Sequence, residues 1–385
     1  MTNTQPFFKN TTVHLLAFFA LLLGSQATAQ DFSAVRALLK DAVSQQQVAG
    51  GTVLVLHRGE VVFEESFGFA DILSKTPFKA DTPVIVASIS KPLLGTAAFR
   101  LAEQGKLDHS AAISDYLPEF SSVKLESGEV ITRAPTLTEL FTHTSGMRNS
   151  EAPGGRPWFA KWTEGTPLAD VVKRYASEFP FQANPGKRYA YSGIGTDVAA
   201  RVLEVASGQP RNVLLVAHVA KPLGMTSTFY RDARSLKQIG RMPTRYFHGK
   251  KGKLLKSTLR PVPPTNTYSS SGGSIISTAP DLARWLMMIR NQGQHEDEAF
   301  LKPETITAML HEFPLSKNAQ GGLFIREKDA TGRAIVVGHS GSSGTNCWIN
   351  FKQDVIGIML TQTRGSDIKQ FRIELEKRVT ECFDD

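Results

Sequence analysis

Hydrophobic and polar positions follow two different periods along this chain, and the change of period marks its organisation. From Asp31 to Gln47 the apolar residues recur at the spacing of one helix face. Gly51 to His57 and Glu60 to Phe67 are runs rich in β-branched and aromatic residues, and they predict two strands joined through Arg58-Gly59. A helical run then extends from Ser88 to about Gln104. A long middle region follows, helical in pattern and broken by Pro and Gly. Within it Thr136-Leu137-Thr138-Glu139 has the spacing of a capping box, so a short helix is expected to begin there. Gly195 to Ser207 and Ala279 to Arg290 predict two more helices. Late in the chain the period shortens. Ala334 to Val337, Thr345 to Phe351 and Val355 to Thr361 read as strands, and Ile368 to Cys382 as a closing amphipathic helix.

Strands therefore sit at both ends, with helices between and after them. The expected fold class is α+β, an α/β sandwich: one antiparallel sheet assembled from both termini, flanked by helices, with a mainly helical region inserted. The sheet region is expected over about 30–87 and 320–385, and the helical region over about 88–319. There are no internal repeats. Residues 239–268, with several Pro and basic residues, read as irregular and near the surface.

The first residues read as an export signal. Lys9 is the only charged residue before Asp31, Leu15 to Leu23 is apolar but short for a bilayer span, and Ala27-Thr28-Ala29 supplies an A-x-A pattern. Cleavage is expected after Ala29, so that residues 1–29 leave and the mature domain covers 30–385. This predicts a periplasmic or secreted protein with no stable membrane insertion after cleavage. The formal charge is +8, spread along the chain, and its densest basic cluster, His248-Gly249-Lys250-Lys251-Gly252-Lys253, reads as a solvated loop. Nucleic acid is not an expected partner. The nine histidines show no H-E-x-x-H or paired Cys/His spacing, so no metal and no cofactor are expected. Of the two cysteines, Cys347 shares a strand side with Ile349 and Phe351, and Cys382 a helix face with Phe371, Leu375 and Val379. They meet only if that helix covers that side of the sheet; otherwise they are separate buried thiols.

Candidate chemistry centres on Ser88-Ile89-Ser90-Lys91, an S-x-x-K at the start of the apolar helix. Residues three apart share a helix face, so Lys91 can take the proton that makes Ser88 a nucleophile. The free N–H groups of a first helical turn suit an oxyanion. The alternative is a plain helix start with a surface lysine. Two further segments fit the first. Tyr189-Ala190-Tyr191-Ser192-Gly193 puts a tyrosine on a loop ahead of a helix, and Gly338-His339-Ser340-Gly341-Ser342 is a small-residue segment beside a strand. Read alone, Tyr191 is equally a half-buried loop aromatic and His339 a turn residue.

Several motifs in order resemble the serine β-lactamase and penicillin-binding-protein superfamily. The similarity is strongest to its class C-like branch, which also holds esterases, D-aminopeptidases and DD-carboxypeptidases. They are the S-x-x-K, Leu140-Phe141-Thr142-His143-Thr144-Ser145-Gly146-Met147, the tyrosine segment, Pro222-Leu223-Gly224-Met225, and Ser271-Gly272-Gly273-Ser274 through Leu282-Ala283. The resemblance implies a β-lactamase/DD-peptidase-like fold and an acyl-enzyme mechanism. Ser88 would attack a carbonyl, Lys91 and Tyr191 would move the proton, and the N–H groups of Ser88 and Ser342 would form the oxyanion hole. His339 stands where many relatives carry the lysine of K-T-G, followed by Ser340 and Gly341; it would hydrogen-bond a substrate carboxylate or the tyrosine oxygen, with a pH-dependent charge.

One departure bears on substrate choice. The usual Y-x-N is here Tyr191-Ser192-Gly193, which removes an amide side chain unless Asn149 or Asn346 fills the gap in space. Losing such a donor hurts selection of amide substrates more than of simple esters. The expected substrates are carboxylic esters or small D-amino-acid-type amides. The alternatives are β-lactams or D-Ala-D-Ala peptides, or a slowly deacylating penicillin-binding sensor. His143 to Gly146 are expected to shape a helix end, Asp281 to cap a helix, and His295-Glu296-Asp297-Glu298 to form a solvated loop. Trp158, Phe159 and Trp162 either line the acyl pocket or cover an apolar cluster. Sequence gives no oligomeric state.

Overall fold

A computed structural model describes residues 30–149, 166–231, 242–249, 252–257, 269–365 and 367–384. The export segment and Trp158, Phe159 and Trp162 lie outside them. The chain opens with α1 (Ser33–Ser44), then β1 (Gly50–His57), β2 (Glu60–Asp71) and the short β3 (Thr76–Pro77). The middle region carries α2 (Ser90–Glu103), α3 (Leu137–Phe141), α4 (Leu168–Glu178), α5 (Gly193–Ser207), α6 (Arg211–Leu215), α7 (Ala279–Arg290) and α8 (Pro303–Leu310). The chain returns as β4 (Phe324–Lys328), β5 (Ala334–Ser340), β6 (Asn346–Asn350) and β7 (Val355–Thr361), and ends in α9 (Asp367–Glu381).

These seven strands form one antiparallel sheet in the order β4-β5-β6-β7-β1-β2-β3. The two chain ends meet at its centre, where Gly51 pairs with Thr361 and His57 with Val355. β1 is buried on both faces, and side-chain alternation splits it between two cores. Val53 and Val55 join Val35, Leu39, Trp348, Met359, Leu375 and Val379 under α1 and α9. Leu54 and Leu56 join Cys347, Ile349, Ile356, Ile358 and the helical region on the other side. The result is the expected sandwich, with the sheet between a terminal helix pair and the inserted helices.

The same alternation answers the cysteine question. Cys347 packs in the core on the helical-region side, whereas Cys382 packs against the core under α1 and α9. They lie on opposite faces of the sheet, and both are free thiols. Burial pushes the Cys347 thiol up to about 12, so it behaves as a small apolar residue.

Other local expectations hold or shift. The capping box is complete: the Thr136 hydroxyl accepts the Glu139 N–H at 3.2 Å, and Glu139 accepts the Thr136 N–H at 2.9 Å. Asp281 does not cap α7. Thr278 does, and the Asp281 carboxylate instead accepts the Ser227 N–H and the Thr228 hydroxyl, both at 2.8 Å. β4, unexpected from its charged pattern, forms the sheet edge beside β5. Within 239–268, Tyr246–His248 and Leu254–Lys256 make a small hairpin where irregular chain was expected. His295 to Glu298 turn the tip of another, Gln294–His295 with Glu298–Ala299.

Candidate active site

The segment leading to Ser88 is pinned before it turns. Val84–Ile85 pairs with Ile275–Ser277, and Val86 donates to the Ile275 carbonyl at 2.9 Å. From the β5–β6 connection, the Ser343 hydroxyl donates to the Ile85 carbonyl at 2.6 Å and that of Thr345 to the Val86 carbonyl at 2.9 Å. So held, Ala87 adopts φ +49°, a left-handed conformation that costs an alanine on the order of 1–3 kcal/mol. Ser88 follows in a single 3-10 turn, Ala87–Ile89, and regular α2 begins only at Ser90. The nucleophile candidate thus stands ahead of the helix rather than inside its first turn. A 3-10 turn brings residues three apart nearly into line, and the Lys91 Nζ lies 3.3 Å from the Ser88 Oγ.

Lys91 is 5% exposed, and no carboxylate pairs with it among the described residues. Its Nζ donates to the Gly272 carbonyl at 2.9 Å and lies 4.8 Å from the Tyr191 ring centroid. A Cβ at 272 would come within 2.8 Å of that Nζ and push the amine from its place. The loop is fixed from behind. Ser271 donates its N–H to Asp197 at 2.6 Å and accepts Tyr230 on its carbonyl at 3.1 Å and Arg211 on its hydroxyl at 2.5 Å.

Tyr191 sits immediately before the N-cap of α5. Ser192 caps the helix by accepting the Gly195 N–H at 2.8 Å and donates its hydroxyl to the Arg148 carbonyl at 2.6 Å. Gly193, expected in the loop, is the first residue of α5. The two asparagines that could supply the missing amide differ in fate. Asn346 is consumed: its Oδ1 accepts from Arg326 at 2.8 Å and Ser340 at 3.1 Å, and its Nδ2 donates to Glu376 at 3.1 Å. Asn149 is exposed and accepts the Gly193 N–H on Oδ1 at 3.2 Å. An amide side chain therefore stands against the position where the Y-x-N pattern lacks one.

The end of β5 approaches Ala87 closely. A Cβ on Gly341 would lie 2.4 Å from the Val86 carbonyl oxygen and 3.0 Å from the Ala87 Cβ, so only glycine lets these strands meet. Ser342 is exposed, and its N–H has no partner among the described residues. His339 departs from expectation. It is 1% exposed, donates from Nδ1 to the Ser340 carbonyl at 2.9 Å and packs on Phe324. Burial, and then the Lys91 charge, push it down to about 3. It is neutral throughout the range where an exposed histidine switches, so the expected pH-dependent charge is absent. His143 was expected only to shape a helix end; its ring lies 4.3 Å from that of Tyr191. The T-H-T-S-G run was the available signal for that contact.

The two buried imidazoles at the site give stability a pH dependence. In the folded chain His339 and His143 stay neutral well below 6.5, while the unfolded chain takes up protons near that value. The unfolded state binds more protons below pH 6.5, so the stabilisation is full above it and lost as pH falls towards 3. Between pH 7 and pH 5 the expected loss from His339 is roughly 2 kcal/mol, read by urea unfolding, and His143 adds to it in the same direction. His339→Gln is expected to shrink the loss, and equal stability at both pH values would contradict the burial argument.

Comparison with known proteins agrees with this geometry. EstB, an esterase of Burkholderia gladioli, is 31% identical over 196 residues, 49% of this chain and 49% of EstB. The D-alanyl-D-alanine-carboxypeptidase/endopeptidase AmpH of Escherichia coli K12 is 29% identical over 242 residues, 62% of this chain and 57% of AmpH. The matches thus span about half the length of these relatives. Among solved structures, EstCE1, a hydrolase with promiscuous acyltransferase activity, shares the fold at TM-score 0.76 and 22% identity, over 90% of this chain and 97% of that one. Simvastatin synthase LovD of Aspergillus terreus does so at TM-score 0.75 and 17% identity, over 91% and 98%. The family model described as Beta-lactamase matches residues 35–379. With the fold, the S-x-x-K geometry and this match in agreement, the chain belongs to the beta-lactamase family.

Proposed function

We propose that this chain is an exported serine hydrolase that cleaves carboxylic esters or small D-amino-acid-type amides through an acyl-enzyme on Ser88. The observation that carries the reading is the buried Lys91 amine, 3.3 Å from the Ser88 Oγ and under the Tyr191 ring. Ser88 Oγ attacks the substrate carbonyl, and its proton passes to the Lys91–Tyr191 pair. The oxyanion is received by the N–H groups of Ser88 and Ser342. Collapse breaks the bond to the leaving group, which takes the proton back as it departs. Water, deprotonated by the same pair, then attacks the acyl carbon; the bond to Ser88 Oγ breaks and Oγ takes that proton back from the pair, leaving a free serine and the acid product.

Two features support esters as the favoured class. Gly193 brings no amide to the groove, and His339 is neutral where a cation would hold a substrate carboxylate. The esterase EstB among the relatives agrees. The Asn149 amide on Gly193, and the relative AmpH, favour the second reading, a DD-peptidase or β-lactam substrate. The A-x-A segment supports export.

Ser88→Ala is expected to abolish turnover of short p-nitrophenyl esters and covalent labelling by an active-site serine reagent. Lys91→Ala and Tyr191→Phe are each expected to lower kcat by about 100-fold or more. Wild-type hydrolysis by Ser88→Ala would end the assignment, and cephalosporin turnover faster than ester turnover would favour the second reading. For the amide, Gly193→Asn is expected to raise D-alanyl p-nitroanilide or cephalosporin acylation relative to ester acylation, and Asn149→Ala to lower it. Ratios unchanged in both variants would remove the amide from substrate selection. For export, the protein recovered outside the cytoplasm of an expressing cell is expected to begin at Gln30 by N-terminal sequencing, and an intact Met1 start there would refute cleavage.

A further inference from the structure

We propose that His143 is a positioning residue for Tyr191: it holds the tyrosine loop from two sides and sets where the phenol stands over Lys91. The proposal rests on the acyl-enzyme reading above.

His143 follows α3 with φ +59°, a left-handed conformation uncommon outside glycine but adopted more readily by asparagine, aspartate and histidine than by other residues. That turn aims both its carbonyl and its ring at the 190–192 segment. The carbonyl accepts the Ala190 N–H at 2.7 Å, and the ring Nδ1 accepts the Ser192 N–H at 3.2 Å. The two residues flanking Tyr191 are therefore anchored on one side chain and its own backbone. The ring then lies against Tyr191 at 4.3 Å between centroids, tilted by 43°.

This clamp requires a neutral imidazole. Nδ1 accepts a proton donor, so the ring's own proton sits on Nε2. A second proton would convert the acceptor to a donor facing the Ser192 N–H. The groups around the ring oppose that proton. His143 is 1% exposed, and burial, then the Lys91 charge, hold it well below its ordinary value, while His339 is itself neutral. Tyr189, another titratable neighbour among the described residues, lies edge-on at 6.0 Å and is pushed up to about 12 by burial, so it brings no charge.

The test uses side chains that reproduce one nitrogen at a time. Asparagine puts an acceptor where Nδ1 stands and tolerates the left-handed turn, whereas glutamine reaches towards the Nε2 position. His143→Ala is expected to lower kcat for p-nitrophenyl acetate by roughly 10–100-fold with KM changed less than about threefold, the pattern of a lost transition-state group. His143→Asn is expected to recover most of that loss and His143→Gln little. In a Tyr191→Phe background, His143→Ala is expected to add no more than about twofold, since residues acting through one group are non-additive. Full activity in His143→Ala, equal rates in the Asn and Gln variants, or an undiminished effect in the Tyr191→Phe background would each overturn the proposal. If His143→Ala does not fold, the Asn–Gln contrast decides alone. Hydrolysis surviving in Ser88→Ala would instead defeat the underlying reading, which is a separate result.

Discussion

The structure turns on one buried amine. Lys91 lies in the interior with no carboxylate beside it among the described residues, and burying such a group is costly unless its hydrogen bonds are met. They are met by a backbone carbonyl, a hydroxyl and the face of an aromatic ring. The arrangement keeps the amine beside the Ser88 hydroxyl with no carboxylate among the described residues to compete for it.

Each of these partners needs support from a distant part of the chain. The Gly272 carbonyl is placed by Asp197, Tyr230 and Arg211, which come from α5, a short strand and α6. Ser88 is placed by strand pairing with Ile275–Ser277 and by hydroxyls of the β5–β6 connection. Tyr191 is placed by His143. Two of the positive-φ residues that are not glycine, Ala87 and His143, stand next to or against these groups. Local strain of this kind persists only where the surroundings over-determine it, and here the surroundings are the strand pairing and hydroxyl bonds that pin the Ala87 segment and the 190–192 loop packed on His143.

Much of the scaffold was legible because its signals are local. The capping box at Thr136, the Arg58-Gly59 hairpin, α7 and the strands β5 to β7 follow from turn chemistry and from apolar period. The elements that escaped are those whose residues obey a neighbour rather than their own pattern. Phe324 to Lys328 carries charge over most of its length and becomes a strand because β5 offers an open edge. The S-x-x-K spacing correctly paired Ser88 with Lys91 but put both inside an α-helix. Strand pairing before Ser88 and the left-handed turn at Ala87 moved the serine ahead of it.

By itself the sequence determined the family's motif order, the α+β layering with both termini in one sheet, and the identity of the serine, lysine and tyrosine that converge. Periodicity gives the elements because it depends on contacts within a few residues, whereas the tyrosine was identified through the motif order that resembles the family. Only the tertiary structure decided which face each cysteine takes, which asparagine is spent and which stands at Gly193, and that His339 is buried neutral while His143 clamps the tyrosine loop. Those outcomes depend on sheet register and on burial, both set by residues more than a hundred positions apart in cases such as β1 with β7. No local pattern encodes the desolvation of a side chain by partners so far along the chain.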